Sequence, residues 1–208
     1  MLVAEDTQTR LLEAAGQVFA EKGFRAATVR EILRRAAVQN LAAVNYYFGD
    51  KERLYEAALR HACNCRLQPD QLPQWPVGTP PAVKLRHFIG VMLQRMLGEF
   101  KEQWQMQLMM AEFPQPSKAG EAVIRDFVQP VYEVLWGLLR EALPHATQEQ
   151  IHLAGFSIVG QCLYHRIGAR VIGLLVGDEQ RGYDVDRLAA HIADFSLRGL
   201  GLESGVQP

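Results

Sequence analysis

Apolar residues in this chain recur every three or four positions, segment after segment, and that period admits little besides packed α-helices. Leu11, Leu12, Ala15, Val18 and Phe19 fall on one helical face, and Gly23 ends that run. Leu85, Phe88, Ile89, Met92, Met96 and Phe100 stripe a long helix. A Met-rich segment, Trp104 to Met110, ends near Phe113-Pro114. Val123, Ile124, Phe127, Val131, Val134, Leu135, Leu138 and Leu139 stripe the next helix, with Pro130 inside it as an expected kink. Thr147-Gln-Glu-Gln150 is a capping box that opens a helix over about 148–175, closed by Gly177-Asp178. Val185, Leu188, Ile192 and Phe195 mark a last helix over about 184–200. No segment alternates convincingly with period two. The expected architecture is all-α, with about nine helices.

One break divides the chain. Pro69, Pro73, Pro76, Gly78, Pro80 and Pro81 cluster so densely that no helix runs through them. Residues 1–66 form a head and 67–208 a larger body. The 208-residue chain has net charge −1, so the molecule as a whole carries no nucleic-acid signature. The head holds ten Lys/Arg against eight Asp/Glu, a balance of +2, and the body twelve against fifteen, a balance of −3. A mildly basic head fits contact with a polyanion. Three cysteines, Cys63, Cys65 and Cys162, make no disulfide framework and suit a reducing compartment. Met1 to Asp6 shows no signal-peptide pattern, and the apolar stretch 151–176 is interrupted by His152, Gln161, His165, Arg166 and Arg170. A cytoplasmic protein with no membrane segment is expected.

Residues 28–48 carry the functional signal. Thr28-Val-Arg-Glu31 is a capping box that starts a short helix with Val29, Ile32 and Leu33 apolar. A tight turn leads to a third short segment over about 40–47, and Asp50 stands where the cap of the next helix belongs. Two short helices joined by a turn make a helix-turn-helix, whose second helix enters the DNA major groove. Ala42 and Ala43 allow close approach. Gln39, Asn40 and Asn45 offer amides that pair with adenine, methyl groups can meet thymine, and Leu41 is a further candidate to face bases. Tyr46, Tyr47 and Lys51 suit phosphates, as do the Thr28 hydroxyl and the N–H groups of its helix. The competing reading makes Tyr46, Tyr47 and Phe48 core residues, and for Phe48 it is the better one. Arg34 and Arg35 read as a solvated face; Arg30 fits either role.

The first 66 residues resemble the DNA-binding domain of the TetR family of bacterial repressors. The shared features are Ala14-Ala15, Phe19, Gly23-Phe24, Thr28-Val-Arg-Glu-Ile32, Ala36, Tyr46-Tyr47-Phe48 and Lys51-Glu52 followed by Leu54-Tyr55. Two departures stand out. Family members usually carry Gly in the turn where Ala37 or Val38 stands, and the stretch from Ala36 to Phe48 is one residue longer than usual. Which of Gln39, Asn40 and Leu41 face bases is therefore open. The body resembles the ligand-binding domain of the CecR-like branch, through Leu108-Met-Met-Ala-Glu-Phe-Pro114, Phe127-Val-Gln-Pro130 and Ser157 to Arg166. That resemblance implies a homodimer through the last two helices, a pseudo-palindromic double-stranded operator and a small, largely apolar effector that releases DNA. Trp104, Met106, Met109, Met110, Phe113, Tyr132, Trp136, Phe156, Tyr164 and His165 are candidate pocket walls, although apolar residues at this spacing are more often plain core. His165 and Arg166, a polar pair in an apolar helix, need partners in the pocket or across the dimer.

Other functions find less support. His61, Cys63 and Cys65 invite a metal or redox reading, but the two cysteines point to different helix faces and zinc needs four ligands. Glu-x-x-His pairs on facing helices, a phosphate loop and a nucleophile elbow are absent; Glu149 and His152 are the nearest approach and stand alone. No catalytic residue, cofactor or metal is expected. A co-regulator that docks on proteins without reading DNA is the remaining class.

Overall fold

The computed structural model describes residues 2–64, 72–98, 103–177 and 184–202, with side chains from Thr7 onward. The expectations placed on Cys65, Arg66, Pro69, Phe100 and Asp178 lie outside the described residues. Every regular element described is helical. The helices are α1 (Leu2–Ala26), α2 (Val29–Arg35), α3 (Ala43–Phe48), α4 (Lys51–Asn64), α5 (Pro81–Leu97), α6 (Gln103–Glu112), α7 (Lys118–Val123), a π turn (Ile124–Val128), α8 (Gln129–Ala142), α9 (Gln148–Ile167), α10 (Ala169–Val176) and α11 (Val185–Gly199). The expected runs are all present, but two are subdivided.

Both subdivisions have local causes. Pro130 has no N–H to give, so the helix cannot close its usual bond to the carbonyl four residues back. The chain widens instead, and the Gln129 N–H reaches Ile124 O at the end of the π turn. The run expected over 148–175 is broken at Gly168. There the Gly168 N–H donates to Tyr164 O (2.7 Å), the residue takes φ −89° and ψ 3°, and α10 begins one residue later. Gly23 breaks α1 as expected, at φ 75°. Pro81 sits at the first turn of α5, where a missing N–H costs nothing.

Packing groups the helices differently from chain order. One compact unit is Met1–Asp70 with Phe100–Gln129, and the other is Gln71–Glu99 with Pro130–Pro208. In the first, Leu11, Ala15, Val18 and Phe19 of α1 meet Ile32 and Leu33 of α2, Val44 of α3, and Leu54, Ala58 and Leu59 of α4. Trp104 and Leu108 of α6, and Val123 and Phe127 beyond it, join the same core. α6 approaches α1 closely because Gly16 has no side chain: a Cβ there would stand 2.1 Å from the Trp104 ring. Each fully buried Leu or Ile in this core is worth about 1.5–3 kcal/mol. The second unit packs α5, α8, α9 and α11 around Leu85, Phe88, Ile89, Leu135, Leu139, Ile158, Cys162 and Ile192.

Candidate functional site

The turn between α2 and α3 is a Schellman motif. Val38 N–H donates to Leu33 O (2.9 Å) and Ala37 N–H to Arg34 O (3.2 Å), so two orphan carbonyls of α2 are satisfied. That geometry forces Ala37 to φ 53°, the left-handed region. Ala37 is thus the residue that occupies the position glycine would favour, at a cost of about 1–2 kcal/mol for a side-chain-bearing residue. Beyond it the chain runs to Asn40, whose Oδ1 accepts from Ala42 N–H (2.9 Å) and closes a turn just before α3. The second helix therefore spans Ala43–Phe48 rather than beginning near residue 40. Gln39, Asn40 and Leu41 precede it, all exposed.

The exposed face is set by what is anchored beneath it. Ala43 is 3% exposed and Val44 is buried with it, so both pack into the core of the first unit. Ala43 does not reach the surface; it supports the face from below. Ala42 and Asn45 are exposed, Leu41 is 67% exposed and Tyr46 is 81% exposed. The Tyr46 ring lies edge-on to Tyr47 at 4.9 Å. Tyr47 and Phe48 are half-buried against the core, so Tyr47 combines packing with a surface-facing position. Asp50 caps α4 as expected, accepting from Arg53 N–H (2.7 Å). Lys51 Nζ rests 4.5 Å over the Phe24 ring, a cation–π contact that fixes its charge near the end of α3. The sequence singled out Lys51 but not Phe24; the only signal was an aromatic directly after Gly23.

α2 is strapped to α1. Arg35 holds both oxygens of Glu21 (2.5 and 2.7 Å), which keeps the Glu21 carboxyl below its usual range, and Lys22 Nζ holds Glu31 (2.6 Å). Arg35 is thus a strap between helices rather than part of a plain solvated face. The Thr28 hydroxyl accepts from Glu31 N–H (3.3 Å), but the Glu31 carboxylate is taken up by Lys22, so the expected capping box is half made. Thr28, Arg30 and Arg34 are exposed.

The candidate effector residues fall into two groups. Trp104, Met106, Met109, Met110 and Phe113 belong to the first unit; Trp104 and Met106 are buried, Met109 and Met110 half-buried, Phe113 exposed. Trp104 stacks on His61 at 6.1 Å. Tyr132, Trp136, Phe156, Tyr164 and His165 belong to the second. There Tyr132, Trp136 and Phe156 cluster with His152, with ring centroids 4.6–6.3 Å apart between neighbours. Among the described residues, the indole N–H groups of Trp104 and Trp136 are buried with no hydrogen-bond partner. Phe156 and Tyr164 are exposed on α9 together with Leu153 and Ile167, at intervals that repeat along one helical side, and Phe195 is exposed on α11. Burial lowers the His165 pKa, with repulsion from His191 adding to it.

The metal and thiol readings gain nothing from geometry. Among the described residues no three His, Cys, Asp or Glu side chains gather in a way that could hold a metal. His152 Nε2 lies 2.6 Å from Gln148 Nε2. Cys63 and Cys162 are buried thiols, and burial pushes Cys162 up to about 12. No helix among the described residues is long and apolar enough to cross a membrane.

Known proteins match these features along most of the chain. Residues 11–58 match the model of bacterial regulatory proteins of the tetR family, and residues 81–200 the C-terminal domain of the HTH-type transcriptional dual regulator CecR. CecR of Shigella flexneri is 26% identical over 96% of this chain and 95% of its own. NalD, the secondary repressor of the MexAB-OprM multidrug efflux pump in Pseudomonas aeruginosa, is 25% identical, with a TM-score of 0.67 over 94% of this chain and 97% of its own. A TetR-like regulator from Rhodococcus sp. RHA1 shares the fold at 20% identity, with a TM-score of 0.65 over 95% and 97% of the two chains.

Proposed function

Because the chain belongs to the TetR family of DNA-binding transcriptional regulators and carries the CecR-type C-terminal domain, we propose that it is a homodimeric repressor, released from its operator by a small and largely apolar molecule. One observation carries the reading. α3 anchors itself through Ala43 and Val44 and thereby turns Asn45 and Tyr46 outward, with Leu41 and Ala42 exposed in the turn just before it. Such a face fits the major groove, where Asn45 pairs with adenine and Leu41 and Ala42 meet thymine methyls. Tyr46, Tyr47, Lys51, Thr28 and Arg30 contact phosphates on either side. Gln39 acts from the turn. Asn40 spends its side-chain oxygen on the Ala42 N–H in the turn before α3, which leaves its amide N–H₂ for a base.

A dimer supplies the second half-site. The exposed side chains Leu153, Phe156, Tyr164 and Ile167 of α9 and Phe195 of α11 support an isologous interface through these helices. Residues 1–66 are the reading domain in this account and 67–208 the effector and dimerisation domain. For the effector, the buried indole N–H groups of Trp104 and Trp136 are the informative features. An unpaired buried donor costs about 1–3 kcal/mol, and an oxygen on an otherwise apolar ligand would satisfy either one. Met109, which packs in the same core as Trp104, together with Met106 and Met110 of the same helix, and Tyr132 beside Trp136, would supply adaptable apolar walls. The protein works in the cytoplasm, where its operator is.

An electrophoretic shift assay with the DNA upstream of its own gene tests the proposal. Specific, salt-sensitive binding is expected there, with log affinity falling linearly with log salt. Absence of such binding at every upstream and intergenic site tried would overturn it.

A further inference from the structure

Glu112 ends α6 in an unusual position for a carboxylate. It is only 9% exposed. Its Oε1 accepts from the Tyr55 hydroxyl (2.5 Å) and its Oε2 from the Ser117 N–H (2.6 Å), so both oxygens are used as acceptors. Ser117 in turn caps α7, its hydroxyl accepting from Gly120 N–H (3.1 Å). Room for the carboxylate is built into α7: a Cβ on Gly120 would stand 2.0 Å from Glu112 Oε2. On the other side, the Tyr55 ring meets Phe19 at 4.9 Å and Phe24 at 5.1 Å, both edge-on, and Phe24 is the ring beneath Lys51. Burial and the adjoining Glu112 both push the Tyr55 phenol well above its usual range, so it stays a neutral donor. The chain Ser117–Glu112–Tyr55–Phe24–Lys51 therefore runs without a gap from the start of α7 to the cation that opens α4 just after α3, inside one compact unit.

We infer that Glu112 is a positioning residue for DNA reading: through Tyr55 it ties the placement of Phe24 and Lys51 to the α6–α7 connection, so that the connection and the DNA-reading face change state together. The inference rests on the DNA-binding reading above. Its chemistry is specific. A buried carboxylate that loses one of its two donors is left with an unmatched oxygen, so the link favours one arrangement of α4 against α6 and α7 over intermediate ones. Coupling of this kind is reciprocal. Whatever moves the α6–α7 connection must change DNA affinity, and DNA must in turn steady the α6–α7 connection.

The reciprocity can be tested without knowing any effector. The probe is a duplex selected by the wild-type protein from a random-sequence library, and the readout is amide hydrogen exchange by mass spectrometry on the full chain. In the wild type, saturating duplex is expected to slow exchange across residues 113–120 at least tenfold. Tyr55→Phe removes the hydroxyl alone and Glu112→Ala removes the acceptor. In whichever of these remains folded by circular dichroism, duplex still binds but the added protection over 113–120 falls below twofold. A wild type that binds duplex without protecting 113–120 would overturn the inference while leaving DNA reading intact, and so would a folded variant that keeps the full protection. If no duplex is selected, the DNA-binding reading fails and takes this inference with it.

Discussion

The exposed face of α3 and the exposed face of α9 are both helical surfaces without a partner inside their own unit, yet they differ in what they expose. α3 buries its small apolar residues, Ala43 and Val44, and shows Asn45 and Tyr46. α9 also buries apolar residues, Ile151, Ile158 and Val159, but its free side shows Leu153, Phe156, Tyr164 and Ile167, while α11 in the same unit shows Phe195 at 63% exposure. Amides and a phenol keep their hydration until a polar partner such as DNA replaces it. Large apolar side chains gain by leaving water, so their face calls for another apolar face. The proposed DNA face and the proposed dimer face thus differ in chemistry in the sense that a nucleic-acid partner and a second copy of the chain would each require.

The largest effect should come from breaking the apolar face. Phe156→Asp combined with Phe195→Asp is expected to weaken dimerisation by about 100-fold or more, of the order of 2–4 kcal/mol. Sedimentation velocity would show monomer at micromolar concentration, with operator affinity falling alongside. A dimer that survives both changes would remove the contrast. On the polar face, Tyr46→Ala should cost about tenfold in operator affinity, ~1.4 kcal/mol, with the fold and the dimer unaffected. Lys51→Ala should lower the slope of log affinity against log salt by about one. Fluorescence anisotropy over a salt series measures both.

A smaller effect concerns the turn that aims α3. The Schellman motif after α2 has a counterpart after α11, where Leu202 N–H donates to Leu197 O (2.9 Å) and Gly201 takes φ 68°. The counterpart uses glycine; the α2 motif uses Ala37 at φ 53°. Ala37→Gly should therefore raise stability by roughly 0.5–1 kcal/mol, the left-handed penalty less the added freedom of the unfolded chain. Urea unfolding would register this as a higher midpoint with unchanged slope. A lower midpoint would mean that the alanine side chain contributes packing the geometry does not suggest.

The smallest effect is with pH. His165 resists protonation in the folded state because burial and His191 depress its pKa. The unfolded chain takes up that proton near the ordinary value of about 6.5. Stability should therefore be indifferent to this group above that value and decline as pH falls below it. His165→Gln should flatten the decline in urea melts between pH 7.5 and 5.5; an unchanged slope would assign the effect to other groups.

Sequence reasoning went furthest where periodicity is local. The apolar stripes placed the helices, and Asp50 and Thr147 placed two of their starts. It was least exact where a single backbone conformation decides. α3 starts at Ala43 because the Asn40 side chain holds the Ala42 N–H in a turn that comes before it, and nothing in the pattern distinguishes that use of an amide from base reading. Gly168 ended α9 although apolar residues continue at helical spacing beyond it. Contacts across long sequence separations were not legible either. That residues 103–129 share a core with the first helices follows from Gly16 receiving Trp104, a fit visible only in three dimensions. Glu112 was hidden for the same reason: in the sequence it is one acidic residue after a Met-rich helix, and its partner Tyr55 is 57 residues away.

The central claim is that the face of α3 reads DNA as one half of a symmetric pair. Selection of duplexes from a random-sequence library by the wild-type protein, with Asn45→Ala selected in parallel, tests it most directly. The account predicts a pseudo-palindrome whose half-sites lie about one helical turn apart, roughly 34–36 Å, and a relaxed preference at one symmetric pair of positions for Asn45→Ala. No enrichment, or an asymmetric single site that Asn45→Ala reads identically, would contradict it.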